Sequence, residues 1–129
     1  MANVVTLGPG KSIAVLASAA RTTAPDTFEF RDLGRAVGVV VVVDCTAKTS
    51  SPSLTVTVSG VDGFTDKTWT LVASAAITGT GTTILKVRPG ITAVSNVSVA
   101  DVLPPAFRIT CAHGNTDSIT YSVSAYLVN

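Results

Sequence analysis

Residues 119–127 read Ile-Thr-Tyr-Ser-Val-Ser-Ala-Tyr-Leu. Ile119, Tyr121, Val123, Ala125 and Leu127 fall on one parity; Thr120, Ser122, Ser124 and Tyr126 fall on the other. A period of two is the signature of a strand with one face on a core and one face open. The same pattern recurs where Leu54, Val56 and Val58 alternate with Thr55, Thr57 and Ser59, and where Phe107, Ile109 and Cys111 alternate with Arg108 and Thr110. Further strands are predicted at 13–18, 27–33, 68–73 and 82–87, with a weaker one at 95–99. Residues 37–43 (VGVVVVV) lack alternation, which predicts a strand covered on both faces. The Ala-rich stretch 13–20 leaves a short helix open as an alternative.

Between these runs lies turn chemistry. Asp62-Gly63 and Thr65-Asp66-Lys67 predict a hairpin loop joining 54–61 to 68–73. Residues 113–117 (HGNTD) join the last two strands, with Gly114 and Asn115 able to take positive φ. Gly79-Thr80-Gly81, Pro89-Gly90 and Pro104-Pro105 mark other breaks, and tandem prolines cannot sit in a central strand. The pattern predicts an all-β chain: a single antiparallel β-sandwich or jelly-roll-like domain over 13–129, preceded by an extended N-terminal arm over 1–12. Leu54, Val56, Val58, Trp69, Leu71, Phe107, Ile109, Ile119, Tyr121 and Val123 are expected to point inward.

Composition agrees. Valine (20), threonine (19) and isoleucine (6) fill 45 of 129 positions, against one Glu and no Gln. These side chains suit a pleated surface, and good helix formers other than alanine are scarce, which excludes a helical bundle. With 47% hydrophobic residues the chain is not a disordered one. A net charge of +1, from nine scattered Lys and Arg, argues against a nucleic-acid partner. No apolar run approaches the ~18 residues of a membrane helix. Ile13 to Ala17 is too short for a secretory h-region, so the N-terminus reads as mature chain.

Motifs of chemistry are sparse. Gly8-Pro9-Gly10-Lys11-Ser12 ends like a phosphate loop, but Val5 stands where the first glycine belongs. His113, the sole histidine, reads as a solvated turn residue; a Ser–His–Asp arrangement with Asp101 or Asp117 has no nucleophile-elbow pattern behind it. Asp26 with Glu29, and Asp62 with Asp66, read as turn or loop carboxylates rather than a cation or acid–base pair. Cys45 and Cys111 lie in apolar runs and read as buried thiols, expected to be reduced. Asn96-Val97-Ser98 matches a glycosylation acceptor, which has meaning only in a secreted eukaryotic protein. Trp69 reads as a core anchor rather than a sugar-stacking platform, and Tyr126 as an outward interface residue. No catalytic residue, cofactor or metal site is predicted, and the chain is read as no enzyme.

The informative feature is a mismatch. The mean hydropathy is +0.50, and the predicted outer faces carry Thr, Ser, Ala and Val where a free sheet protein would carry lysine and glutamate. Residues 39–43 are five consecutive valines with no charge among them, an aggregation hazard if exposed. Burial against other subunits resolves this, because large interfaces are depleted in charge at their centres. Val4, Val5 and Leu7 in the arm, with Tyr126, are the candidate assembly contacts. A dozen extended residues span up to ~40 Å, enough to add a strand to a neighbour. Closed cyclic oligomers, trimers in particular, would hide sheet edges.

Five stretches carry a resemblance: 23–27 (TAPDT), 55–62 (TVTVSGVD), 73–83 (ASAAITGTGTT), 101–105 (DVLPP) followed by Phe107-Arg108-Ile109-Thr110, and 113–123 (HGNTDSITYSV). Together they resemble small β-sandwich virion proteins of tailed bacteriophages, over most of residues 14–128. The resemblance implies a non-enzymatic virion protein, assembled in the host cytoplasm, that decorates the outside of an icosahedral head and clamps neighbouring capsomers. Its implied partners are the major capsid protein and copies of itself, with neither nucleic acid nor membrane. It transfers no functional residue. The alternative is a tail or baseplate component, such as a carbohydrate- or receptor-binding module; an adhesin or pilin-like subunit would need a secretion signal.

Overall fold

A computed structural model describes residues 3–6, 12–31 and 33–129. The strands are β1 (Asn3–Thr6), β2 (Ser12–Arg21), β3 (Phe28–Arg31), β4 (Gly38–Lys48), β5 (Leu54–Val61), β6 (Thr68–Ala73), β7 (Gly81–Val87), β8 (Ser98–Val99), β9 (Phe107–His113) and β10 (Ile119–Val128). They form two five-stranded sheets, β1-β3-β9-β5-β6 and β2-β10-β4-β7-β8. The pairings are antiparallel except β1 with β3 and β7 with β8, which are parallel. No helix occurs among the described residues. The expected all-β sandwich is the fold, and the Ala-rich stretch is the strand β2, not a helix.

Alternation does the folding work. Val39, Val41, Val43 and Cys45 of β4 face Leu54, Val56 and Val58 of β5 and Phe107, Ile109 and Cys111 of β9 in one core cluster. Phe30 and Phe107, cross-strand partners on β3 and β9, stack with ring centroids 4.9 Å apart, worth about 0.5–1.5 kcal/mol beyond burial. Nine of the ten residues expected to point inward are buried. Buried Ser74 keeps the ladder satisfied beyond β6: the Val56 N–H donates to its hydroxyl at 3.0 Å, and its own N–H donates to Val56 O at 2.8 Å.

Three expectations fail for local reasons. Trp69 is 45% exposed. Trp69 does keep the inward parity of Leu71, because the bulge between the Val58–Val72 and Ser59–Thr70 pairs sets it directly opposite Gly60, but it stands one pair from the end of the β5–β6 ladder, where the sandwich is open. The indole then rests on Gly60 at the open end of the sandwich, where a Cβ would come within 2.4 Å of Cζ2. Residues 37–43 are covered on one face only: β4 is flanked by β10 and β7, but Val40 and Val42 on the outer face are only half-buried and Val37 is exposed. The strand expected at 95–99 shrinks to two residues, because Asn96 takes a φ of 62° and ends the extended run.

The loop at 113–117 also works differently from its composition. Neither Gly114 nor Asn115 has positive φ. The loop passes from β9 in one sheet to β10 in the other, and is tied to the segment before β5. Gly114 N–H donates to Ser53 O at 2.8 Å, and Asn115 Nδ2 donates to Ser51 O at 2.8 Å. Gly114 is needed for proximity, since a Cβ there would meet the Ser53 side chain at 3.2 Å.

Candidate functional site

The outer face of the β2-β10-β4-β7-β8 sheet is built from cross-strand rows. One row reads Ser12, Tyr126, Val40, Lys86; the next reads Ala14, Ser124, Val42, Ile84; a third reads Ser122, Asp44, Thr82. Asp44 and Lys86 are the charges in these rows, and they sit toward opposite ends. Tyr126 is 38% exposed and Ile84 is exposed beside it, one row away. A shallow hollow of about 280 Å³ lies between Tyr126, Val40, Lys86 and Ile91. The outward parity expected of Tyr126 therefore holds. The face is flat, β-branched and hydroxylated, with little to keep another protein away.

The edges add to this. β2 is one edge of that sheet, and from Ser12 to Ala20 it carries no charge. Where β2 bulges against β10, Arg21 fills the gap in the ladder. Its guanidinium donates to Ala17 O at 2.8 Å, Ala19 O at 3.2 Å and, across the ladder, Tyr121 O at 2.7 Å. On the other sheet, β1 lies parallel to β3, with Val4 opposite Glu29 and Val5 opposite Phe30. Thus two of the candidate arm residues lie on a strand added to a sheet edge; Leu7 lies outside the described residues.

Polar clusters elsewhere are internally satisfied, and no buried side-chain polar atom among the described residues lacks a partner. His113 is not a solvated turn residue. It closes β9, half-buried, and its Nε2 lies 3.0 Å from the Tyr121 hydroxyl. Arg21 covers the other side of Tyr121, with its guanidinium carbon 4.8 Å from the ring centroid. Burial, then the nearby Arg21 charge, lowers the His113 pKa. Burial likewise pushes the Cys111 thiol up to about 11 and raises Cys45. Both cysteines are buried and free of a disulfide. A thiol held neutral is a poor nucleophile and a poor metal ligand.

Glu29 is the sole glutamate and is almost fully buried on the outer face of its sheet. Its Oε1 accepts from Arg108 Nε at 2.6 Å, and its Oε2 is paired with Arg31 Nε. Burial alone would raise its pKa, but the two guanidiniums outweigh that and hold the carboxyl below its ordinary value. Glu29 is thus committed to arginines rather than to Asp26. Asp62 accepts from the Phe64 N–H at 3.1 Å and the Thr65 hydroxyl at 2.7 Å, and those bonds lower its pKa. It behaves as the turn residue its context implied. Asp117 accepts from the Ser51 N–H and does not orient His113. Among the described residues no group of three His, Cys, Asp or Glu could hold a metal.

One concave feature was missed from sequence. A cleft of about 700 Å³ opens at the end of the sandwich, with Trp69, Asp62, Arg31, Leu33, Leu103 and Pro104-Pro105 among its lining. Phe64, at the tip of the adjoining loop, is 94% exposed, and Val102 beside the proline wall is exposed too. Gly60 is the signal that could have found it, because it stands where the alternating strand 54–61 calls for a third inward valine. Compared with known proteins, the chain matches no family model, no curated protein and no solved structure.

Proposed function

We propose that this protein is a non-enzymatic virion component, a decoration protein that binds the outside of a phage head and stabilises contacts between capsomers. One observation carries the reading: the outer face around Val40, Val42, Ile84 and Tyr126 is open, apolar and nearly uncharged. A sheet protein working alone would carry charge there. The uncharged edge β2 and the edge-added strand β1 support it further, since edges of this kind are sites of strand addition between subunits. The partners on this reading are the major capsid protein and copies of the chain itself, arranged as trimers at local three-fold positions. The polar clusters act as internal braces, leaving recognition to shape and apolar contact.

The experiment is to mix purified protein with undecorated heads and pellet them. Co-sedimentation that saturates, together with heads that survive heating better than bare ones, is the expected result. Removal of residues 1–12 should leave a folded domain that binds heads more weakly. Failure to co-sediment at any salt, with the protein found on tails alone, would refute the head assignment and favour a tail component.

A further inference from the structure

We propose that the cleft beside Trp69 is a carbohydrate site that seats one hexose unit of a polysaccharide with its apolar ring face on the indole. The inference is independent of whether the protein sits on heads or tails.

The platform is built rather than incidental. Trp69 is held in the β6 ladder directly opposite Gly60. A Cβ at position 60 would approach indole atoms Cζ2 and Cε2 to 2.4 and 2.5 Å, so the ring lies against bare backbone. That contact takes up the Cε2–Cζ2–Cη2 part of the indole, and the residue remains 45% exposed. An aromatic ring fixed in place but left in water loses little further freedom when a ligand stacks on it. Around it the cleft carries a carboxylate and a guanidinium. Asp62 is pinned by the Phe64 N–H and the Thr65 hydroxyl, and Arg31 is anchored by Glu29. A carboxylate has about four acceptor sites, so Asp62, which the Thr65 N–H also approaches, keeps room for a ligand hydroxyl. Pro104-Pro105, which also line the cleft, bring no N–H groups to compete for that carboxylate.

That mixture selects the occupant. A second copy of the chain, or an apolar peptide, would bury Asp62 and Arg31 without replacing their water, which is costly. A sugar ring brings an apolar face for the indole and a rim of hydroxyls for the carboxylate. A cleft of about 700 Å³ lies within the range of small-ligand sites.

Trp69 is the only tryptophan, so its emission and its single indole N–H resonance report on the cleft alone. Wild-type protein is titrated with oligosaccharides of glucose, galactose, N-acetylglucosamine and rhamnose up to roughly 10 mM. The expected result is a saturable emission shift, and movement of the indole N–H resonance, with at least one of them. Gly60→Ala should displace the indole and weaken binding at least tenfold; Trp69→Ala should abolish it by calorimetry. Circular dichroism on each variant verifies the fold, and the wild-type resonance titration stands even if a variant fails to fold. No response to any of the sugars overturns the proposal. So does binding that survives in folded Trp69→Ala, or a shift that follows protein concentration instead of sugar, which would make the cleft a self-interface.

Discussion

Glu29 shows what a single residue can hold in a chain with so few charges. Its carboxylate is buried between Arg31 and Arg108, whose side chains remain 38% and 27% exposed. Breaking a fully buried pair costs about 3–5 kcal/mol, but these arginines can turn toward water, so Glu29→Gln should cost about 1–3 kcal/mol in denaturant unfolding. Because the native carboxyl has the lower pKa, its contribution is complete above the ordinary glutamate range near 4.5 and disappears as pH falls through the native value. The wild type should therefore lose stability on acidification more steeply than Glu29→Gln. His113 obeys the same sign. Burial and Arg21 depress its pKa below 6.5, so the unfolded chain takes up the proton first as pH falls. Melting temperatures should decline from pH 7 toward pH 5, and His113→Gln should flatten that decline. The thiols complete this scale. With Cys111 at about 11 and Cys45 also raised, an alkylating reagent should label neither until the protein unfolds; rapid native labelling would contradict the buried, neutral assignment.

At the scale of the strand, alternation predicts energetics as well as position. Val56 is fully buried and pairs with Cys111 in the middle of its sheet, so Val56→Asp should abolish folding by burying an unpaired charge. Thr55, one residue away on the outer face, should tolerate serine within about 0.5 kcal/mol; circular dichroism and urea melts separate the two. Strands with clean alternation were readable from sequence almost to the residue, as at Leu54–Val61 and Ile119–Val128. Readability stopped where a strand runs past the covered core or where a partner decides the outcome. Trp69 keeps the parity of Leu71 yet lines a cleft, because it pairs with Gly60 one step from the end of the ladder, and period counting carries no information about where the sandwich opens. Five valines in a row look the same whether the second face is covered or open, and only the strand order shows that Val40 and Val42 lie uncovered within the chain. His113 looked like a turn residue because Gly114 follows it. Its real environment comes from Tyr121 on β10, a strand of the other sheet that local sequence cannot place beside it.

The whole molecule presents two unlike surfaces. On one sheet, Thr55, Thr57, Ser59, Thr70 and Thr110 share the outer face with the Glu29–arginine cluster, so that face is hydroxylated and charged. On the other, valine, isoleucine and tyrosine lie among serines and alanines. Such asymmetry has a direction: the second face should meet protein and the first should meet water. Val42 stands at the centre of the apolar face, flanked by Ser124 and Ile84. Its side chain points away from the core, so Val42→Lys should keep the fold, with a stability change of about 1 kcal/mol or less. A lysine there would place an uncompensated charge at the middle of any interface, where desolvation is most expensive. Co-sedimentation with heads should therefore fall at least tenfold. Thr57→Lys, an equal change on an interior strand of the other sheet, should leave it intact. If both variants bind as wild type does, the interface lies on the strand edges β1 and β2; if Thr57→Lys alone loses binding, the hydroxylated face is the one that meets the capsid, and the apolar face is the one that meets water.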